Sequence, residues 1–277
     1  MVINDLKGTI ELSNGVQMPY FGLGVFKTQD GEEVENAVKW ALEAGYRHID
    51  TAAIYNNEQG VGNAIKSSVI PRNELFITTK IWNDDQRNET VMEGFEQSLK
   101  LLQTDYVDLY LIHWPVQEKY SKTWKVIEEI YRSGRAKAIG VSNFLHHHLE
   151  ELFRTAEIRP MINQVECHPH LVQQPLIDFC QSNQIVYEAW SPIMRGKVNG
   201  IPLFSELSEK YHKSPVQIVL RWDLQKGIVT IPKSVHQERI KHNADIFDFE
   251  LSAEDILRID TLDQDRHYGA HPDNFNF

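Results

Sequence analysis

The chain has 277 residues, of which 42% are hydrophobic and 24% charged, the balance of an ordinary globular protein at the length of one eight-stranded α/β barrel. Its 28 Lys and Arg stand against 39 Asp and Glu, a formal charge of -11, which excludes the broad basic face that a nucleic acid or an anionic membrane requires. Any anion site must be local.

No segment approaches the roughly 18 apolar residues of a membrane span, and Met1–Ile10 has no apolar h-region. Cys167 and Cys180 read as reduced, buried small hydrophobes. The expectation is a soluble, unprocessed, cytoplasmic and monomeric chain, with residues 1–277 forming one domain and no nucleic-acid or membrane partner.

The first feature in chain order is a hairpin, Thr9–Leu12 and Val16–Met18 about the turn Ser13-Asn14-Gly15. It is expected to cap the N-terminal end of the barrel. Short apolar strands then alternate with helical segments, the mark of parallel βαβ units. The strands predicted are Phe21–Val25, Arg47–Asp50, Leu75–Lys80, Val107–His113, Ala138–Ser142, Met161–Glu166, Ile185–Ala189 and Ile228–Ile231.

The clearest helix follows Asp30, where Val34, Ala37, Val38, Ala41 and Leu42 share one face and Gly45 ends it. Others are predicted at Thr90–Leu102, Ser121–Ser133, Leu145–Ala156 and Gln174–Ser182. Two more, Pro202–His212 and Ser214–Lys226, fit between the seventh and eighth strands, the second opening on a capping-box Ser214 and Gln217. Gln237–Asn243 and Ala253–Leu262 follow. The fold class is therefore a (β/α)8 TIM barrel with an N-terminal β-hairpin cap and extra helices near the C-terminus. A doubly wound dinucleotide fold would carry G-x-G-x-x-G after its first strand; Gly22-Leu23-Gly24 starts one, but Lys27 stands at the third glycine.

In such a barrel, chemistry collects where strands end. Asp50, Lys80 and His113 close three neighbouring strands, and Tyr55 lies one loop beyond Asp50. A lysine ending an apolar run needs a carboxylate nearby, and Asp50 can supply it. That pair is expected to lower the Tyr55 pKa, making the phenol a proton donor to a carbonyl oxygen that His113 also holds. Each residue alone has a plain explanation: a cap, a solvated strand end, a packed aromatic and a stiff His113-Trp114-Pro115 loop. Their recurrence at neighbouring strand ends favours a site.

The segments GYRHIDTAAIYNNEQGVGNAI (Gly45–Ile65) and LYLIHWP (Leu109–Pro115) strongly resemble the aldo-keto reductases. So do GLGVF (Gly22–Phe26), TTKIW (Thr78–Trp82), IGVSNF (Ile139–Phe144), NQVECHP (Asn163–Pro169), IPKS (Ile231–Ser234) and ERIKHN (Glu238–Asn243), in order along essentially the whole chain. The resemblance implies a catalytic tetrad of Asp50, Tyr55, Lys80 and His113, with tyrosine as general acid in reduction, hydride passing directly from NADPH to a carbonyl carbon, and no metal.

The resemblance also places the cofactor. Ser142, Asn143 and Gln164 match its carboxamide contacts, and Trp190 matches the ring that stacks on the nicotinamide. Ser191, Pro192 and Ile193 match the pyrophosphate loop, with Arg195 and Lys197 close by. Lys233, Ser234, Val235, Arg239 and Asn243 match the 2′-phosphate and adenine site, beside a helix N-terminus suited to an anion. Tryptophan at position 190 is similar to bacterial and related reductases of methylglyoxal and diketo acids, which implies a small carbonyl substrate. Phe26, Trp82 and Trp114 are the implied pocket walls.

Two departures stand out. His242 replaces an acidic residue common before the adenine-contacting asparagine, and the tail after Leu262 lacks the long substrate loop of steroid-specific relatives, which implies a more open pocket. Glu166, His168 and His170, and the run His146-His147-His148, have the look of metal ligands. The former lies in a family motif without metal, and neighbours on a helix diverge by about 100°. Because the same barrel also serves channel-associated subunits, a non-catalytic nicotinamide-binding sensor is the alternative function.

Overall fold

A computed structural model describes residues 3–277. The hairpin pairs β1 (Thr9–Glu11) with β2 (Gln17–Pro19), antiparallel, with Ile10 opposite Met18. Gly15 turns it at φ 86°, a conformation that favours glycine. Asn14 at its tip donates to the Lys137 carbonyl, 2.9 Å away at the start of the fifth barrel strand, so the hairpin covers the N-terminal end as expected.

The barrel strands are β3 (Gly22–Gly24), β4 (His48–Asp50), β5 (Phe76–Ile81), β6 (Val107–Ile112), β7 (Ala136–Ser142), β8 (Ile162–Glu166), β9 (Val186–Trp190) and β10 (Val229–Thr230). Each is parallel to the next in chain order. Bridges from Phe21 to Thr230 and from Gly24 to Lys233 close the seam. A Cβ on Gly24 would lie 2.9 Å from the Ile231 carbonyl oxygen, so close backbone approach at the seam requires glycine there.

Around the barrel lie α1 (Glu32–Glu43), α2 (Glu58–Ser67), α3 (Asn83–Asn88), α4 (Val91–Leu102), α5 (Tyr120–Arg132), α6 (His146–Phe153), α7 (Gln174–Ser182), α8 (Pro202–Tyr211), α9 (Pro215–Gln225), α10 (Gln237–Asn243) and α11 (Ala253–Asp260). The stripe on α1 formed by Val34, Ala37, Val38, Ala41 and Leu42 is buried, and its valines and leucine contribute about 1.5–3 kcal/mol each. At α9 the Ser214 hydroxyl accepts from the Gln217 amide at 3.3 Å, while the Gln217 side chain accepts from the Ser214 amide at 2.9 Å. β5 is buried along its whole length although Thr78, Thr79 and Lys80 interrupt its apolar residues, so its polar groups need partners inside the barrel. The two strands at the seam are shorter than expected because single bridges, not ladders, join them.

Candidate active site

β4 and β5 lie side by side with Asp50 opposite Thr78. Side chains alternate along a strand, so Thr78 and Lys80 share one face, and Thr78 meets His48 of β4 at 3.0 Å. Lys80 is wholly buried. Its ammonium donates to Asp50 Oδ1 at 2.6 Å and to the Thr51 carbonyl at 2.9 Å, the pairing a buried lysine needs.

Tyr55 ends a short 3-10 turn, Ala53–Tyr55, after which Asn56 is left-handed. Asn57 anchors this loop: it donates to the carbonyls of Val25 and Thr28 at 2.9 and 3.0 Å and accepts from Thr51 at 2.8 Å. The Tyr55 ring centre lies 5.2 Å from Lys80 Nζ and 5.6 Å from the His113 ring centre. Asp50, Tyr55, Lys80 and His113 therefore converge.

One expectation is corrected. Burial, then the Asp50 and Glu188 carboxylates, pushes the Tyr55 phenol well above its ordinary pKa. Lys80 does not lower it because its charge is matched by Asp50 at 2.6 Å. Burial, then Lys80, holds His113 well below the ordinary imidazole value, so its ring is neutral.

Glu188 escaped the sequence reading. The Gln164 amide nitrogen donates to Asp50 Oδ2 at 2.8 Å and to Glu188 Oε2 at 2.9 Å. Burial, then Asp50, pushes the Glu188 carboxyl up to about 8. His48, held down to about 3 by burial and then Lys80, faces it across 4.0 Å. The available signal was an acid inside the apolar run Val186–Ala189. Because Gln164 commits its nitrogen to two carboxyl groups, its oxygen is the atom left to accept a further donor.

The matched cofactor residues surround this wall. Ser142 donates to the Gln164 carbonyl at 2.8 Å, and Asn143 donates to the His113 carbonyl at 2.9 Å. Asn143 is left-handed at φ 65° and accepts from the Trp190 indole at 2.9 Å. The loop that continues through Pro192 and Ile193 carries positive φ at Ser191, Met194 and Arg195, conformations L-residues rarely adopt. Across the mouth, Ser234 and Asn243 are buried, while Lys233 and Val235 are half-buried and Arg239 is exposed. Neither Lys233 nor Arg239 has an ion-pair partner among the described residues. Burial lowers the Lys233 pKa, with Glu33 acting against it.

Phe26 packs on Tyr55 at 5.0 Å between ring centres, and Trp82 on His113 at 5.2 Å. The tail changes the expected opening. Phe277 stacks on Trp82 at 5.7 Å, and Phe275 packs on Trp114 at 5.1 Å, so this side of the pocket is walled.

The histidine clusters have other uses. The Glu166 carboxylate accepts from His267 at 3.0 Å and from the Tyr268 and Gly269 amides at 2.8 and 3.0 Å, with His168 at 3.2 Å. His147 and His148, expected to diverge, both reach Asp273, at 3.0 and 3.3 Å. His148 Nδ1 accepts the Leu145 amide at 3.1 Å, which puts the ring proton on Nε2. That nitrogen is a donor to Asp273 and has no lone pair for a metal.

Residues 20–264 match the family model described as the aldo/keto reductase family. The chain belongs to this family of oxidoreductases. It is 56% identical to the glyoxal reductase of Bacillus subtilis over 272 residues, covering 98% of this chain and 99% of that one. It is 46% identical to the methylglyoxal reductase DkgA of Escherichia coli, covering 96% and 97%. Among solved structures, a deep-sea metagenome aldo-keto reductase superposes with a TM-score of 0.94 at 45% identity, covering 97% of this chain and all of that one. A Gox0644 variant in complex with NADPH gives 0.92 at 40%, covering 97% and 98%.

Proposed function

We propose that this chain reduces small aldehydes and ketones, 2-oxoaldehydes such as methylglyoxal among them, with NADPH as cofactor and Tyr55 as the proton donor. The carrying observation is the buried 2.6 Å pair of Lys80 and Asp50 behind Tyr55 and His113. Its similarity to a glyoxal reductase and a methylglyoxal reductase supports the substrate class, as do the aromatic rings that wall the pocket.

The residues present fit NADPH. Trp190 is half-buried and offers a ring, Gln164 has an oxygen to accept an amide, and Lys233 and Arg239 offer charge for the 2′-phosphate on an otherwise acidic protein. When bound, NADPH supplies a hydride to the carbonyl carbon. Ser142, Asn143 and Gln164 orient its carboxamide, and Ser191, Pro192 and Ile193 pass its pyrophosphate. Ser234, Val235 and Asn243 complete the adenosine end.

His113, neutral, donates from Nε2 to the substrate oxygen, leaving Nδ1, which has no partner, as a bare lone pair. Tyr55 donates the second hydrogen bond and then its proton. Its raised pKa keeps that proton in place at neutral pH, and a nascent alkoxide is basic enough to take it. Trp82 and Trp114 wall the pocket, and Phe26, 49% exposed, lies over Tyr55 at its rim. No metal is needed, since two hydrogen bonds polarise the carbonyl.

Tyr55→Phe keeps the ring and removes the proton. Reduction of methylglyoxal should fall by about 10²–10⁴ while NADPH still binds. Turnover at the wild-type rate refutes the assignment.

A further inference from the structure

Gly269 lies in the tail, outside every matched motif, and its conformation does not demand glycine. Its neighbour does. A Cβ at this position would stand 2.4 Å from Trp190 Cη2 and 3.2 Å from Cζ3, closer than carbon atoms approach without displacement. The Gly269 backbone thus lies flat against the benzo edge of the indole.

Two further contacts fix this arrangement. The Gly269 amide donates to Glu166 at 3.0 and 3.1 Å, and the Tyr268 amide and His267 ring join it on the same carboxylate. These donors, His168 first among them, hold the Glu166 carboxyl down to about 2 against the opposing effect of burial, so it is an anion at any ordinary pH. At the opposite edge of the indole, Nε1 donates to Asn143 Oδ1 at 2.9 Å.

We propose that Gly269, clasped by Glu166, is a positioning residue for the cofactor: it backs the Trp190 indole and, with Asn143, sets the plane on which the nicotinamide rests. This deepens the proposed function and rests on the reading that Trp190 stacks on the nicotinamide. The indole has no freedom to retreat from Gly269 without losing Asn143, so an added methyl must tilt the ring.

Gly269→Ala should raise the dissociation constant for NADPH about three- to tenfold, the value of one misaligned aromatic contact, followed by quenching of tryptophan fluorescence. Trp190→Phe removes the atoms the methyl strikes. In the Trp190→Phe background, Gly269→Ala should therefore cost nothing further. Glu166→Gln adds no atoms and loosens the clasp; it should weaken NADPH binding in the same direction, and it carries the test if Gly269→Ala does not fold.

If Trp190→Ala, which removes the ring, leaves NADPH affinity unchanged, the stacking reading fails. If Trp190→Ala weakens binding but Gly269→Ala and Glu166→Gln leave it at the wild-type value, the backing role is wrong and stacking stands. Equal losses from Gly269→Ala in both backgrounds would also overturn the direct contact.

Discussion

Replacing Lys80 by methionine keeps the length of a wholly buried side chain and removes its charge. Asp50 then loses its 2.6 Å partner and keeps only the Gln164 amide, which it shares with Glu188. Stranding one member of a buried pair costs about 3–5 kcal/mol, roughly a third or more of the middle of the usual total stability of about 5–15 kcal/mol, so the variant should unfold at a clearly lower denaturant concentration. Asp50→Asn strands the ammonium instead, leaving it the Thr51 carbonyl, and a comparable loss is expected. The double variant has no charge to strand, and its loss should fall short of the sum of the singles by about 1–3 kcal/mol. Urea unfolding followed by circular dichroism gives all four values, provided the slopes agree. All three variants should also lose turnover, because Tyr55 packs against this pair. Additivity within about 0.5 kcal/mol would refute the claim that the pair acts as a unit.

Lys233→Met and Arg239→Ala should each weaken NADPH binding about ten- to a hundredfold while NADH changes little; proportional losses for both cofactors would remove these residues from the 2′-phosphate. Activity should survive dialysis against a strong chelator, and a loss restored by zinc or iron would contradict the proposed metal-free mechanism. Glu188, at about 8, sits above the ordinary carboxylate value of 4.5, so between those limits the native chain holds a proton the unfolded chain has released. Its contribution to stability therefore declines as pH rises from about 4.5 to 8. Glu188→Gln should flatten that decline, and unfolding curves at pH 5 and pH 8 with unchanged slopes in pH would contradict it.

Most of the barrel was legible because short strands rich in β-branched residues alternate with amphipathic helices. Lys80 cannot be buried alone, and that constraint points to Asp50 from the sequence itself. Glu188 was not legible in the same way: it interrupts an apolar run instead of ending it, and only closure of the barrel brings β9 opposite β4. The helix α3, Asn83–Asn88, is polar throughout, so it has no hydrophobic period to detect. The tail was misjudged because the packing of Phe275 and Phe277 on two tryptophans is tertiary, not local. His147 and His148, expected to diverge along α6, instead bring their ring centres to 4.0 Å, because both turn to Asp273 of the tail.

The lowered Tyr55 pKa expected from Lys80 failed for a more general reason. A sequence names the charges near a group but does not give their sum. In the barrel mouth Lys80 is the one ammonium beside two carboxyl groups, Asp50 and Glu188, and both histidines that face them, His48 and His113, are held neutral. Burying a net charge is expensive, so the arrangement settles near neutrality with Glu188 protonated, and little positive field is left over to acidify a phenol. In the proposed mechanism Tyr55 then acts as a weak acid that keeps its proton at neutral pH, and the alkoxide, not the ground-state field, draws it off. That order predicts that an added cation near the phenol would not simply speed reduction. It would lower the phenol's pKa and shift the enzyme toward the oxidative direction, where a phenolate is the required base.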